Sequence, residues 1–511
     1  MLVQNLEGDP SSGERESTFA LSSPSALLSV LKQLRSEVVR EGQDIFTKWR
    51  SQIHRQAFLK SSLNLAYYLA LRHRDLRSLQ TALMPWGLSS LGRIESRVLP
   101  NLDAVIATLE AVCQTASAHL PQHPAVEDFF EGDRLLLEQT EELFGPTLSH
   151  RRVRIMVTLP TGAASDYALV RRLFQRGTNC ARINCAHDNV EIWAAMIANI
   201  RQAEAETGNP CKILMDLGGP KPRLSMAVSS NAEQQRVRRG DRLLLTSDLP
   251  ATNESAYLQA QCSLPAALEQ LQVGTTVWID DGRIGATVEA IDRQGVLLQI
   301  THADLKGSKL RPDKGLNFPE TELRLSPLTD RDLQDLKFVA AHADIVGYSF
   351  VQRPEDIELL QRELHLLLPK NARIPAIIAK IETPLAVRNL PELIVQAAGK
   401  QPFGIMIARG DLAVEVGYQR LAEIQEEILW LCEAAHIPVI WATQVLETLV
   451  KKGIPSRAEM TDAAMGERAE CVMLNKGPFI VEAVTILDDV LSRMQAHQLK
   501  KSPQLRALRS W

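Results

Sequence analysis

Apolar residues at Leu27, Leu28, Leu31, Leu34 and Val38 recur three and four positions apart, the spacing that lines one face of a helix. Ser23 and Pro24 stand just before them. They read as an N-cap followed by proline at the first helical position, where its missing N–H leaves nothing unpaired. The periodicity returns in "SSLNLAYYLALRHRDLRSLQ" and "LDAVIATLEAVCQ". The pattern predicts an all-helical extension of unknown role over residues 23–148, after a polar, disordered tail at 1–22. The stripe "NLAYYLALR" reads as core of that extension, since such a stripe is normally the face a helix buries.

From Arg151 the rhythm changes. Short β-rich runs, "RIMVTL", "CARIN", "KILMDL", "DIVGYSF", "AIIAKIE", "GIMIARGD", "PVIWAT" and "CVMLN", alternate with amphipathic stretches such as "SDYALVRRLFQRG" and "RPEDIELLQRELHLL". Alternating strand and helix implies parallel strands joined by crossover helices. Eight strands is the number that closes a TIM (β/α)8 barrel. A doubly wound open sheet is the alternative, but its usual glycine-rich first turn is missing. After the third strand the helical pattern gives way to "DRLLLTS", "TVWIDDG", "IGATVEAI" and "VLLQITHA". These turn-punctuated strands predict a small all-β lid domain at 225–312, between barrel parts at 149–224 and 313–498, with a tail at 499–511. The insertion leaves the barrel at the C-terminal end of a strand, the face that carries barrel active sites, and there it can act as a lid.

Composition narrows the classes. The 511 residues are enough for two or three domains with proper cores. A net charge of −4 with no polybasic tract excludes a nucleic-acid surface. Seven scattered cysteines form no CxxC pair, which favours a reducing, cytoplasmic setting over a disulfide framework. The start, "MLVQNLEGDPSSGERESTFA", has no apolar signal core, and no run is apolar enough to span a membrane.

"IIAKIETP" then poses the chemical question. Lys380 and Glu382 are two residues apart on a strand, so they share a face. Burying two charges on one face is costly. Either they form a strand-end ion pair or something charged sits there. Other strand ends carry polar groups too: Arg182, Asn184 and His187; Asp216, Lys221 and Arg223; Arg409, Gly410 and Asp411; Thr443. Five strands ending this way point to one shared site. Glu382 and Asp411, with no His or Cys beside them, suit Mg2+ or Mn2+. Lys380, Arg182 and Arg223 suit a phosphate-sized anion.

At these residues the sequence resembles the pyruvate kinase family, in "ARINCAH", "IIAKIET", "IMIARGDLAVEVG", "WATQVLETLVKKGIPSRAEMTDAA" and, within the insertion, "WIDDGRI" and "KGLNFPE". The resemblance implies a glycolytic enzyme that moves the phosphoryl group of phosphoenolpyruvate to ADP. Lys380 would stabilise the transferring group, and Glu382 and Asp411 would hold Mg2+. Gly410, Asp411 and Thr443 would contact the substrate, with Thr443 near the proton delivered to the enolate. Arg182 would hold the phosphate; Asn184, His187, Arg223 and Lys314 would lie near the nucleotide phosphates. It leaves room for a homo-oligomer. The chain also departs from the family. The stretch after the eighth strand is short, "VMLNKGPFIVEAV", and the family's C-terminal regulatory domain is expected to be missing. The family's monovalent-cation site would fall at Asn184 and Asp216, but Ala186 replaces a serine ligand. Lys221 stands where K+-dependent members carry glutamate, so K+ is expected not to be required. Two other readings stay open: a phosphoenolpyruvate-binding pseudoenzyme or regulator, and a Mg-dependent enolate-forming lyase.

Overall fold

The computed structural model describes residues 23–88, 90–114, 122–228, 236–248 and 258–506. The expected tail at 1–22 and the last residues, 507–511, lie outside them. The chain forms two compact units. One runs to Thr140 and includes Ala398–Lys400 and Trp430–Ile437; the other holds the rest.

The first unit is helical. Ser23 caps the helix α1 (Pro24–Trp49), its hydroxyl accepting from the Ala26 N–H at 3.2 Å. Leu27, Leu28, Leu31, Leu34 and Val38 are buried, as the period required. The helices α2 (Leu59–Arg72) and α3 (Val98–Cys113) pack on α1. Gly42 makes the α1–α2 approach possible: a Cβ there would lie 2.3 Å from a ring carbon of Tyr67. His436 is wholly buried, with Nδ1 2.9 Å from the Ser61 hydroxyl and Nε2 3.0 Å from the Ser96 carbonyl. The carbonyl can only accept, so Nε2 carries a proton, and burial lowers the ring below its ordinary value, which favours the neutral form.

The second unit contains a closed parallel barrel of eight strands. They are β1 (Arg154–Thr158), β2 (Cys180–Asn184), β3 (Lys212–Asp216), β4 (Ile345–Tyr348), β5 (Ala376–Ile381), β6 (Phe403–Ala408), β7 (Val439–Ala442) and β8 (Cys471–Leu474). Closure between β1 and β8, in register Arg154 with Cys471, rules out the open sheet. Met156, Leu214, Ile378, Met406 and Ile440 share the barrel core with Leu143 and Phe144, from the end of helix Glu131–Phe144. The stretch expected to close the helical extension thus ends as part of the barrel core, because both its terminal side chains are apolar and find cover there.

Among the described residues the lid sheet has seven strands, from Leu224–Val228 to Leu316–Asn317. It extends past the expected limit of 312 because Leu316–Asn317 pairs with Thr276–Ile279. Its two connections to the barrel pair with each other: the Leu224 N–H donates to the Lys314 carbonyl and Leu316 to Pro222. Residues 498–503, where the second barrel part was expected to end and the tail at 499–511 to begin, form a short hairpin, held by Lys500 against the Arg468 carbonyl. No helix among the described residues is long and apolar enough to cross a membrane.

Candidate active site

Parallel strands end together, so the polar exceptions that close β2, β3, β5, β6 and β7 gather at one end of the barrel. Asp216, 1% exposed at the end of β3, is the centre. Arg182 on β2 meets its Oδ2 through Nε at 3.0 Å and Nη2 at 2.5 Å, and holds Thr158 with Nη1. Lys380 on β5 stands 3.5 Å from the same oxygen and 3.2 Å from Glu382. Its ammonium donates to the Ser349 hydroxyl at 2.7 Å. Gly347 on β4 leaves room for this cluster, since a Cβ there would lie 2.6 Å from Asp216 Oδ1. Lys380 and Glu382 are thus both partners and components of a wider charged set.

Glu382 is buried and takes the Phe350 N–H at 2.7 Å. Asp411 lies in the first turn of helix Arg409–Val416, which follows directly on β6. The Lys221 ammonium bonds it at 2.5 Å, and the Asn317 amide at 3.3 Å. Lys221 makes no ion pair with Asp216. The expected seat of its ammonium, beside Asn184 and Asp216, is not the one found: Lys221 reaches a proposed metal ligand. Gly315 leaves it room, since a Cβ there would meet the Lys221 stem at 2.5 Å. The Gly410 N–H donates to the Thr443 hydroxyl at 2.9 Å. Thr443 has φ +64°, a conformation that costs a β-branched residue energy and sets its side chain against helix Arg409–Val416. Arg409 fixes this turn through the carbonyls of Ala442 and Thr443, through Asp462, and by stacking on Trp441 at 4.4 Å.

Three carboxylates, Asp216, Glu382 and Asp411, therefore face three cations, Arg182, Lys380 and Lys221. Burial pushes the Asp216 and Asp411 carboxyls up, but their cations outweigh it and hold both below the usual range. Burial dominates at Glu382 and raises it, with Asp411 adding repulsion against the pull of Lys380. Burial would lower Lys380, yet Asp216 and Glu382 win and raise it, so it stays charged.

A divalent ion fits this donor set. Glu382 and Asp411 offer hard oxygens from neighbouring strand ends, and Asp216 Oδ1 is a buried acceptor with no hydrogen-bond partner. The described residues gather no group of three His, Cys, Asp or Glu ligands. A bound ion would take its remaining ligands from substrate and water, the habit of Mg2+.

The other expected residues lie around this centre. Asn184 closes β2 and accepts the Ala186 N–H at 3.2 Å. Arg223 donates to the Asp313 carbonyl, and Lys314 pairs with Asp280 on the lid at 2.7 Å. Burial depresses the His187 ring, and Lys476, Arg223 and Arg182 add repulsion against an opposing Asp188. Lys476 was not singled out in the sequence; it lies two residues beyond β8, next to β1 in the barrel. Ser349, Asn317 and Asp462 were also missed. Ser349 follows β4, so its position at a strand end was the available signal.

A family model described as the pyruvate kinase barrel domain matches residues 150–484. Pyruvate kinase PKLR of Homo sapiens is 30% identical over 450 residues, covering 85% of this chain and 74% of that protein. Pyruvate kinase of Geobacillus stearothermophilus is 32% identical over 353 residues, 68% of this chain and 57% of its own length. That of Methylorubrum extorquens is 32% identical over 358 residues, covering 68% and 70% respectively.

Proposed function

This chain belongs to the pyruvate kinase family, a family of phosphotransferases, and on that premise we propose that it transfers the phosphoryl group of phosphoenolpyruvate to ADP, giving pyruvate and ATP, as a cytoplasmic glycolytic enzyme. The observation that carries the proposal is Lys380 held charged among Asp216, Glu382 and Ser349, at the strand ends that face the lid connections.

The reaction breaks the bond between phosphorus and the enolate oxygen, forms one from phosphorus to a terminal ADP oxygen, and adds a proton to the enolate carbon. Little covalent work falls to the protein, so positioning and charge neutralisation do most of the catalysis. A divalent metal, Mg2+ or Mn2+, held by Glu382 and Asp411 would supply positive charge to the phosphoryl and enolate oxygens. Lys380 neutralises the phosphoryl group in flight, and Arg182 fixes it from β2. Gly410, Asp411 and Thr443 orient the substrate. The Thr443 hydroxyl accepts from Gly410, which leaves its own proton for the enolate carbon, the role this reading gives it. Asn184, neutral His187, Arg223, Lys314 and Lys476 receive the nucleotide phosphates. Lys314 exchanges Asp280 for that role.

Lys221 supports independence from K+. Its ammonium is a fixed positive charge that pairs with Asp411 inside the site, so it adds positive charge near the substrate without filling the Asn184–Asp216 seat, where a bound K+ would lack the ligand replaced by Ala186.

A second reading, a phosphoenolpyruvate-binding regulator without turnover, draws on the short run between Leu474 and Ile480. A coupled assay of pyruvate and ATP formation from phosphoenolpyruvate and ADP separates the two. Both products should appear in a one-to-one ratio with divalent metal present. Binding without product would favour the regulator, and pyruvate with inorganic phosphate in place of ATP would show transfer to water and contradict the kinase reading.

A further inference from the structure

A carboxylate that is to hold an ion must present an oxygen to it, and Asp411 is tethered by one oxygen only. The Lys221 ammonium and the Asn317 amide both donate to its Oδ1, at 2.5 and 3.3 Å. Its Oδ2 takes no hydrogen bond among the described residues. Two donors thus hold one oxygen and leave the other open.

The two donors differ in kind. Lys221 is a point charge on a flexible stem, able to pair with either oxygen. Asn317 is 3% exposed and fixed in the lid sheet, on the strand Leu316–Asn317, where it pairs with Trp278. Its Nδ2 also donates to Glu415 at 2.9 Å. Glu415 stands one turn after Asp411 in helix Arg409–Val416, so the two carboxylates share a face of that helix. Both can only accept, which keeps the amide nitrogen turned toward them. Glu415 takes the Phe318 N–H as well. Two consecutive residues of the lid's exit are therefore pinned by Glu415, and the amide so pinned reaches Asp411.

On the reading of Asp411 as a metal ligand, we propose that Asn317 and Glu415 are positioning residues: Glu415 orients the Asn317 amide, and the amide holds Asp411 Oδ1 so that Oδ2 faces the ion. Without the amide, Asp411 is free to turn both oxygens to the Lys221 ammonium, which then competes with the ion. The orienting donor comes from the lid, so a seated exit strand and an aimed metal ligand are one state. Coupling of this kind is reciprocal, and metal binding must in turn favour the seated strand.

The test uses the full chain without substrate. Free Mn2+ is measured by electron paramagnetic resonance, with Asp411→Ala giving the background from other sites. Asn317→Ala and Glu415→Ala should each raise the Mn2+ dissociation constant about tenfold, the scale of one hydrogen bond to a charged group. Glu415→Gln keeps an acceptor oxygen and removes the charge, so it should stay within about threefold of the wild-type chain. Hydrogen–deuterium exchange at residues 316–318 should slow on adding Mg2+ to the wild-type chain, and that response should be lost in Asn317→Ala. A purely structural role would lower the melting temperature and leave the Mn2+ constant unchanged. If Asn317→Ala does not fold, Glu415→Ala against Glu415→Gln decides the matter. An unchanged or tighter Mn2+ constant in the folded alanine variants would overturn the proposal, as would a loss in Glu415→Gln equal to that in Glu415→Ala, or a wild-type chain that binds no Mn2+ beyond the Asp411→Ala background. The expected shifts in a chain that forms no pyruvate would uphold it and overturn the reaction proposed above.

Discussion

Lys380 is held by three oxygens, from Ser349, Asp216 and Glu382, and this arrangement fixes what its loss does. Methionine keeps the length of the stem and removes the charge, while Arg182 continues to compensate Asp216. Lys380→Met should therefore fold, with unchanged circular dichroism, and lose about 10²–10³ in turnover, the usual cost of one preorganised charge. Near wild-type turnover would refute its assigned role. Lys221 carries a different expectation. The wild-type enzyme should run in buffers free of K+ and NH4+, with little gain on adding them. Lys221→Glu places a carboxylate opposite Asp411 and should move turnover toward K+ dependence, although Ala186 limits how well the ion is held. Strong K+ activation of the wild-type chain at constant ionic strength would contradict this reading.

Among the elements, two contacts outside the site carry stability. Phe144 is 1% exposed and shares the barrel core with Met156, Leu214 and Ile378. Phe144→Ala leaves a cavity that a closed barrel cannot collapse around, and should cost about 3–5 kcal/mol by chemical denaturation. Gly42→Ala tests the helical unit. Helix propensity alone would favour alanine by about 1 kcal/mol. The new Cβ, however, would lie 3.1 Å from the Tyr67 Cα as well as against its ring, so rotating the side chain does not relieve the clash. Overpacking of this kind should destabilise the chain by about 1–3 kcal/mol. A gain in melting temperature would show that α1 and α2 can separate without loss.

At the scale of the whole molecule, the buried charges set opposing pH trends. Asp216 and Asp411 are held below their ordinary 3.8. The stability they contribute is complete above that value and is lost as pH falls through their lower folded values. Glu415 runs the other way: its folded carboxyl, near 7, binds a proton more tightly than the unfolded one at 4.5. It therefore makes stability fall as pH rises between those two values. Glu415→Gln should flatten that slope in denaturant midpoints measured from pH 4.5 to 7, and an unchanged slope would place the titration on another group. The same long-range packing marks the limit of what the chain shows before it folds. The period of the apolar positions determined the helices of the first unit, the eight barrel strands and the strand ends that bear charge, because each depends only on near neighbours in sequence. The motifs around Arg182, Lys380, Asp411 and Thr443 pointed to the family for the same reason, each lying on one strand end. Apart from Lys380 and Glu382, two residues apart on one strand face, which charges touch could not be read that way. Lys221 reaches Asp411 from 190 residues away in the chain, Asn317 joins Asp411 to Glu415, and Leu143 and Phe144 pass from a helix into the barrel core. Those pairings were decided only when barrel closure and the paired lid connections brought distant segments within hydrogen-bond range, since a charge's partner is set by distance in space and by burial, neither of which local spacing encodes.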